Sequence, residues 1–446
     1  MEDYRLVADD VAAEIAAGSL RPGDRLPPQR AFARRRGIAN STAGRVYGEL
    51  ARRGLVVGEV GRGTFVRAAQ PPPGPALAEP AAARIDLELN YPVAPGQPAL
   101  LARGLGPMLR PDVLGAASQP LGAAGTPAAR EAVARLLGRA GWRPEPARVL
   151  FAGNGRQAIA AAIAALVPPG ERLGVEALSY PVVKALAHRL GVTPVPLAVD
   201  DEGLCPDALA AAHRGAPLRA VYLQPTLHNP LGITMGEARR EEVARTIREL
   251  GVCAIEDTIW AFLHDSAPPP LTALAPDHAI LIDSLSKRLA PGLTVGFAVA
   301  PARHAEQLAA ALRSGAWTAA RFALDATTRW MADGTVAAIT EAKRADAAAR
   351  QRIASEKLAG FAVRADPQAY YCWWELPDQW RADTFVAAAA RRGIAVTPAA
   401  SFVVGSRSAP SAVRLGLASP PMETLSYALE ELARIARGTP EDAAED

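Results

Sequence analysis

A chain of 446 residues, half of them hydrophobic, has room for two or three domains and a large buried core. Its three cysteines, Cys205, Cys253 and Cys372, stand far apart with no CxxC pair, which argues for a reducing compartment and against a disulfide framework or a zinc site. No charged-then-apolar leader and no apolar run of about 20 residues is present, so the expectation is a cytoplasmic chain with no membrane partner and no metal. The formal net charge of +3 is uneven: residues 1–67 carry 12 Arg against 8 Asp and Glu, while the remainder carries 37 basic and 38 acidic residues. A basic head on a near-neutral body suits an anionic partner met by the head.

The chain opens with Val7, Val11 and Ile15 spaced four apart, one apolar stripe of a helix ended by Gly18. Leu20–Pro27 reads as a turn, and Pro28 as a first-turn residue of a short second helix holding Phe32. Asn40 or Ser41 is suited to cap a third helix that buries Val46 and Leu50 and stops at Gly54. Two apolar runs, Leu55–Val57 and Thr64–Val66, flank Gly61-Arg62-Gly63, a tight hairpin tip. Three helices and a hairpin make a winged helix-turn-helix. Its third helix would enter the major groove with Asn40, Ser41, Thr42 and Arg45 near its start, while Arg30, Arg62 and Gly63 would meet phosphates.

Ala68–Pro80 holds five prolines in 13 residues and predicts a semi-extended linker. The organisation expected is a DNA-binding head over residues 1–67, a linker over 68–84 and a body over 85–446. Apolar runs in the body (Val149–Phe151, Arg172–Val175, Ala220–Leu223, Val252–Ile255, Ala279–Ile282, Gly296–Val299) alternate with alanine-rich helical stretches. This is the pattern of an α/β domain on a mostly parallel sheet buried on both faces. From about residue 330 a long helix, Tyr370–Leu376, a further helix and Ile394–Val396 predict a smaller α+β lobe.

Chemistry concentrates at strand ends. Lysine is scarce, at positions 184, 287, 343 and 357 only. Lys287 follows the strand Ala279–Asp283 and the hydroxyls Ser284 and Ser286. A lysine desolvated there can lose its proton and form a Schiff base with an aldehyde, and the hydroxyls can hold a phosphate. That is the chemistry of a pyridoxal 5'-phosphate (PLP) site. Gly153–Gln157 precedes a helix expected over Ala158–Leu166, whose first amides suit a phosphate. Tyr180 can stack on an aromatic ring, and Asn229 sits in a sharp Asn-Pro-Leu-Gly turn. Asp257 ends a very apolar strand, where a carboxylate is costly unless it meets a cation such as a protonated pyridine.

The runs Arg21–Arg30 and Gly61–Val66 resemble the GntR family. From about residue 85 the order Asn-Pro-x-Gly, Asp-x-x-aromatic, Ser-x-Ser-Lys resembles the fold type I aminotransferases, and the fusion is similar to the MocR subfamily of transcriptional regulators. The resemblance implies that Lys287 carries the Schiff base, Asp257 pairs with the pyridine nitrogen, and Asn229 bonds the phenolic oxygen. It further implies that Tyr180 stacks on the ring, and that Ser284, Ser286, Gly155 and Arg156 hold the phosphate. Arg414 would receive an effector carboxylate by a bidentate pair. Trp260 stands where the family generally has tyrosine and can still donate through its indole N–H. Thr294 stands where the family usually has an arginine for the phosphate, with Arg288 or Arg156 as candidate substitutes. Both departures favour sensing over turnover. The expected function is a PLP-dependent regulator that binds a double-stranded DNA operator and senses an amine, an amino acid or PLP itself. A homodimer is expected, with a head-to-tail exchange within reach of the linker. An aminotransferase with a regulatory head and a cofactor-free repressor are the alternatives.

Overall fold

The computed structural model describes residues 4–16, 19–21, 23–52, 55–59, 63–66, 84–405 and 408–440. Linker residues 68–83, Gly18, Gly54 and the hairpin tip with Gly61 and Arg62 lie outside the described residues.

The head has the expected three helices, Tyr4–Ala16, Gln29–Arg36 and Asn40–Arg52, and an antiparallel hairpin, Val56–Glu59 with Gly63–Val66. Ala43, Val46, Tyr47 and Leu50 put one side of the third helix into a core with Val7, Val11, Leu26 and Phe32. Two details differ from the sequence reading. Pro28 is the N-cap of the second helix, extended at φ −52° and ψ 141°, and lies outside its first turn. The third helix begins at Asn40, and the amide of Ala43 donates to the Ala39 carbonyl. Ala39 therefore stands where Asn40 or Ser41 was expected to cap, and both polar side chains are left exposed.

The body is built on a seven-stranded sheet. Its spatial order is Val149–Ala152, Gly296–Val299, Ala279–Ser284, Cys253–Asp257, Ala220–Leu223, Arg172–Glu176, Thr193–Leu197. Gly296–Val299 runs antiparallel to both neighbours, and the other pairings are parallel. Successive residues serve opposite faces. Leu150, Ile255, Ile280 and Ile282 meet the helix Gly155–Leu166, while Val149, Phe151, Leu281 and Phe297 enter a second core beyond the sheet. Covering both faces favours apolar residues at successive positions, which is why the runs are unbroken until the charged and polar residues that close Arg172–Glu176, Cys253–Asp257 and Ala279–Ser284. The Gly155–Leu166 helix starts three residues before its expected bound, with Asn154 as cap accepting from the Gln157 amide at 3.0 Å.

A smaller lobe carries the sheet Ala362–Ala365, Tyr371–Glu375, Ala412–Gly416, Thr397–Pro398. Helices Thr335–Lys357, Ala382–Arg391 and Met422–Arg437 accompany it. Ile85–Asp86 pairs in parallel with Ile394–Ala395, so the chain coming from the head enters the body along this lobe.

Candidate functional site

The carboxyl ends of the parallel strands and the inner edge of the small lobe enclose a cavity of about 250 Å³. Gly155, Arg156, Tyr180, Asn229, Asp257, Trp260, Ser284, Ser286, Lys287 and Arg414 all line it. Ten expected residues, spread over 260 positions of sequence, therefore meet in one place.

Lys287 lies in a four-residue helix, Leu285–Arg288, at the end of its strand. Its ammonium donates to the Asn90 carbonyl at 2.5 Å and sits 4.2 Å from the centre of the Tyr91 ring and 5.2 Å from that of Trp260. Burial, then the cations Arg156, Arg414 and Lys343, bring its pKa down to about 7. A neutral amine is thus accessible at physiological pH.

Asp257 is 3% exposed. Its carboxylate accepts from Tyr222 Oη at 2.6 Å, Gln224 Nε2 at 2.9 Å and the Ile259 amide at 3.0 Å. Burial nevertheless raises its pKa to about 6, because no cation stands beside it. The amide of Asn229 donates to Gln224 Oε1 at 3.2 Å, while its own Oδ1 is buried without a partner.

At the other end of the cavity two backbone segments press together. A Cβ on Gly155 would lie 3.1 Å from Ser284 Oγ, and one on Gly296 would lie 2.3 Å from the carbonyl of Asn154. Gly296 needs to be glycine for this approach, and a side chain at Gly155 would require Ser284 to shift. Ser284 Oγ accepts from the Ser286 amide at 3.2 Å, and the Ser286 and Thr294 hydroxyls are 3.1 Å apart. Arg156 Nε donates to Tyr180 Oη at 3.2 Å. Arg288 is committed elsewhere: its Nη2 is 2.9 Å from Asp283 Oδ2, with both side chains buried. Of the two candidate replacements for a cation at position 294, Arg156 is the one that lines the cavity.

Trp260 is a wall residue, buried against Phe262, Tyr370 and Tyr371. Arg414 is 7% exposed, and its Nη2 donates to the Glu88 carbonyl at 2.7 Å and to Thr397 Oγ1 at 3.3 Å. The sequence reading missed Tyr222, Gln224, Glu88, Asn90 and Tyr91. Tyr222 and Gln224 sit two apart across the end of a strand, a spacing that signals a shared face; the segment 88–91 carries no periodic signal.

In the head, Arg30, Asn40, Ser41 and Arg45 are exposed and Thr42 is partly so. The Arg45 guanidinium lies 4.1 Å over the Tyr4 ring. Gly63 opens the second hairpin strand at φ 123°, beside the Arg25 side chain.

Residues 117–432 match the family described as aminotransferase class I and II. The chain belongs to that family. Residues 3–66 match the bacterial regulatory proteins of the gntR family, so an aminotransferase-type body carries a GntR-type head. The chain is 29% identical over 439 residues to the HTH-type transcriptional regulator YdeF of Bacillus subtilis, covering 97% of this chain and 94% of that one. It is 26% identical to the vitamin B6 salvage pathway transcriptional repressor PtsJ of Salmonella typhimurium, over 86% of this chain and 87% of PtsJ. In fold the body is similar to the α-aminoadipate aminotransferase LysN of Thermus thermophilus, with a TM-score of 0.70 at 23% identity, covering 79% and 92% of the two chains. Among the described residues of this aminotransferase-family chain, no helix is long and apolar enough to cross a membrane, and no group of His, Cys, Asp and Glu could hold a metal ion.

Proposed function

We propose that this chain is a transcriptional regulator whose head binds a double-stranded DNA operator and whose body holds PLP and senses an amine, an amino acid or the vitamer. One observation carries the reading. A lysine with a depressed pKa, a buried carboxylate lacking a cation and an amide with an unspent acceptor converge on one cavity, in a chain that starts with a GntR-type head. The cofactor, when bound, supplies an aldehyde and an electron-withdrawing ring.

Each residue then has a role. Lys287 would hold the cofactor at its aldehyde through a neutral amine, and would hold a proton when an outside amine takes its place. Asp257, held by Tyr222 and Gln224, would keep a proton on the ring nitrogen. Asn229, Tyr180 and Trp260 would hold the ring, Asn229 by a hydrogen bond to its phenolic oxygen and Tyr180 by stacking. The amides of Gly155 and Arg156, at the start of a twelve-residue helix, and the Ser284 and Ser286 hydroxyls meet the phosphate, with the Arg156 guanidinium as counter-charge. Arg414 takes the carboxylate of an amino-acid effector.

The route from cavity to DNA runs through the small lobe. Arg414 belongs to its strand Ala412–Gly416, and the segment leading from the head pairs with the same lobe at Ile394–Ala395. An effector that draws Arg414 inward moves the attachment of the head, a shift between two lobe positions. Two copies form the working unit, since an operator is read by paired heads. A 13-residue linker spans up to roughly 40 Å at about 3.1 Å per residue, enough for a head to reach its partner's body.

A gel-shift with the DNA upstream of the chain's own gene, with and without PLP, tests this. Expected is a complex whose affinity changes with PLP in the wild type and does not change in Lys287→Ala. A complex indifferent to PLP in both would leave a DNA-binding scaffold. The intact lysine and carboxylate also serve amino-group transfer, so sustained multiple turnovers with a panel of amino donors would make the body an enzyme with a DNA-binding head.

A further inference from the structure

The small-lobe side of the cavity holds two opposite charges that act on each other, yet their side chains share no hydrogen bond or ion pair among the described residues. Arg414 Nε is buried without a partner, although Nη2 of the same group is bonded twice. Beside it, Glu88 lines the cavity, partly buried, and its carboxylate takes part in no hydrogen bond or ion pair among the described residues. A carboxylate with a structural role looks different, and Asp86, two residues earlier, shows how. Its Oδ1 accepts from the amides of Glu88 and Leu89 at 2.7 and 3.0 Å. Burial and then the nearby Asp86 charge raise the pKa of Glu88, and the Arg414 charge offsets them only in part.

We infer that Glu88 selects an effector bearing a second cationic group, a diamino monocarboxylic acid of the ornithine or diaminobutyrate type. The inference rests on the reading of this cavity as an amine-effector site. Arg414 Nη2 is bonded to the backbone carbonyl of Glu88, which ties the guanidinium to the segment that carries this carboxylate. Lys287 Nζ is bonded to the carbonyl of Asn90, two residues further along the same segment. An amino acid with its amine at Lys287 and its carboxylate at Arg414 Nε turns its side chain toward Glu88. A distal ammonium satisfies that carboxylate, an alkyl end leaves it desolvated and unpaired, and a second carboxylate is repelled.

The experiment uses the full chain and matched probes: L-ornithine against L-norvaline, with L-glutamate as the reversed charge. Displacement of Lys287 from PLP is followed by absorbance, and binding to the PLP-free chain by calorimetry. The wild type should prefer ornithine over norvaline by about tenfold and bind glutamate weakest, the usual size for one partly desolvated ion pair. In Glu88→Gln the ornithine-to-norvaline ratio should fall to near one, and Glu88→Lys should favour glutamate; the cofactor spectrum of each variant reports that it is folded. Equal responses to ornithine and norvaline in a wild type that does bind norvaline overturn the role of Glu88 and leave the effector site standing. A ratio unchanged in Glu88→Gln does the same. No response to any amine by either method removes the effector site and the role of Glu88 together.

Discussion

The two walls of the cavity spend their polar atoms differently. On the large-domain wall, Asp257 is tied to Gln224 and to Tyr222 behind it, Asp283 is tied to Arg288 behind it, and Asn229 Oδ1 is the exception left without a partner. On the small-lobe wall, the Glu88 carboxylate and Arg414 Nε are left without a hydrogen-bond partner among the described residues. A wall whose groups are fixed in advance suits a ligand that stays, since preorganisation lowers the cost of binding. A wall with charge to spare suits a ligand that comes and goes. Five measurements put that contrast at risk.

Removing the amine should have the greatest consequence. Lys287→Ala should abolish borohydride trapping of PLP on the protein, and stoichiometric trapping that persists in the variant, at another lysine, would refute the assignment. Stability should move little in this variant, because a desolvated lysine with a pKa near 7 is held at a cost, as functional groups often are. Next comes the carboxylate. Asp257→Asn removes the charge while keeping the shape, and should weaken retention of PLP by roughly a hundredfold, the cost of leaving a buried cation unpaired. Equilibrium dialysis measures this, and retention equal to wild type would show that the ring nitrogen does not meet Asp257.

A second buried lysine gives the control for the first. Lys343 is fully buried, and its Nζ donates to the carbonyls of Lys287 at 2.9 Å and Leu289 at 2.6 Å. Burial also brings its pKa down to about 7, yet it does not line the cavity. The two lysines share a shift but serve different ends, since Lys343 pins the short helix that presents Lys287. Lys343→Met should cost about 1–3 kcal/mol of stability by taking a bond from each of these carbonyls, of which that of Leu289 keeps Gln97 Nε2 at 3.1 Å. Chemical denaturation should show a lower midpoint in this variant and a nearly unchanged one in Lys287→Ala. The reverse order would exchange their roles.

The fourth measurement is a pH profile. With a pKa of about 7, Lys287 is mostly protonated at pH 6 and mostly neutral at pH 8. The rate of PLP capture should rise about tenfold per pH unit below 7 and level off above it. The same shift has a stability consequence of definite sign. Between about 7 and the ordinary 10.5 the unfolded chain holds a proton at this lysine that the folded chain does not, so the penalty for burying it shrinks as pH rises through that window. A capture rate still climbing steeply at pH 9 would mean the amine is not depressed.

The same contrast explains what was legible in the sequence. Six strands of the large sheet were readable because each is buried on both faces and so shows as an unbroken apolar run. The seventh, Thr193–Leu197, was not. It carries Pro194 and Pro196, which only an edge strand tolerates, and it is the outermost strand at its end of the sheet. The fixed wall was legible through Asp257 and Lys287, since a charged residue closing an apolar strand is out of place unless it serves a function. Their supports were less visible: Tyr222 stands 35 residues before the carboxylate it bonds, and pairing across parallel strands leaves no local pattern. The small-lobe wall was half legible. Arg414 sits in a strand, whereas Glu88 reaches the cavity because the two-residue strand Ile85–Asp86, too short to show any period, docks on Ile394–Ala395.

The most modest change is also the most selective, because it alters only the phosphate end of the fixed wall. Thr294 Oγ1 lies 3.1 Å from the Ser286 hydroxyl and donates to the Val295 carbonyl at 3.3 Å, so the native wall offers hydroxyls there and takes its charge from Arg156. Thr294→Arg adds a second guanidinium but gives up the hydroxyl pair and adds repulsion toward Arg156 and Lys287. A charge-assisted bond to phosphate is worth about 1.5–3 kcal/mol, and the lost neutral bond about 1, which leaves a net gain of a few-fold to about tenfold in PLP affinity. Pyridoxal, which has the aldehyde and ring but no phosphate, should gain nothing. An equal gain for both ligands would place the new guanidinium against the ring, and a loss for PLP alone would show that Arg156 already saturates the phosphate.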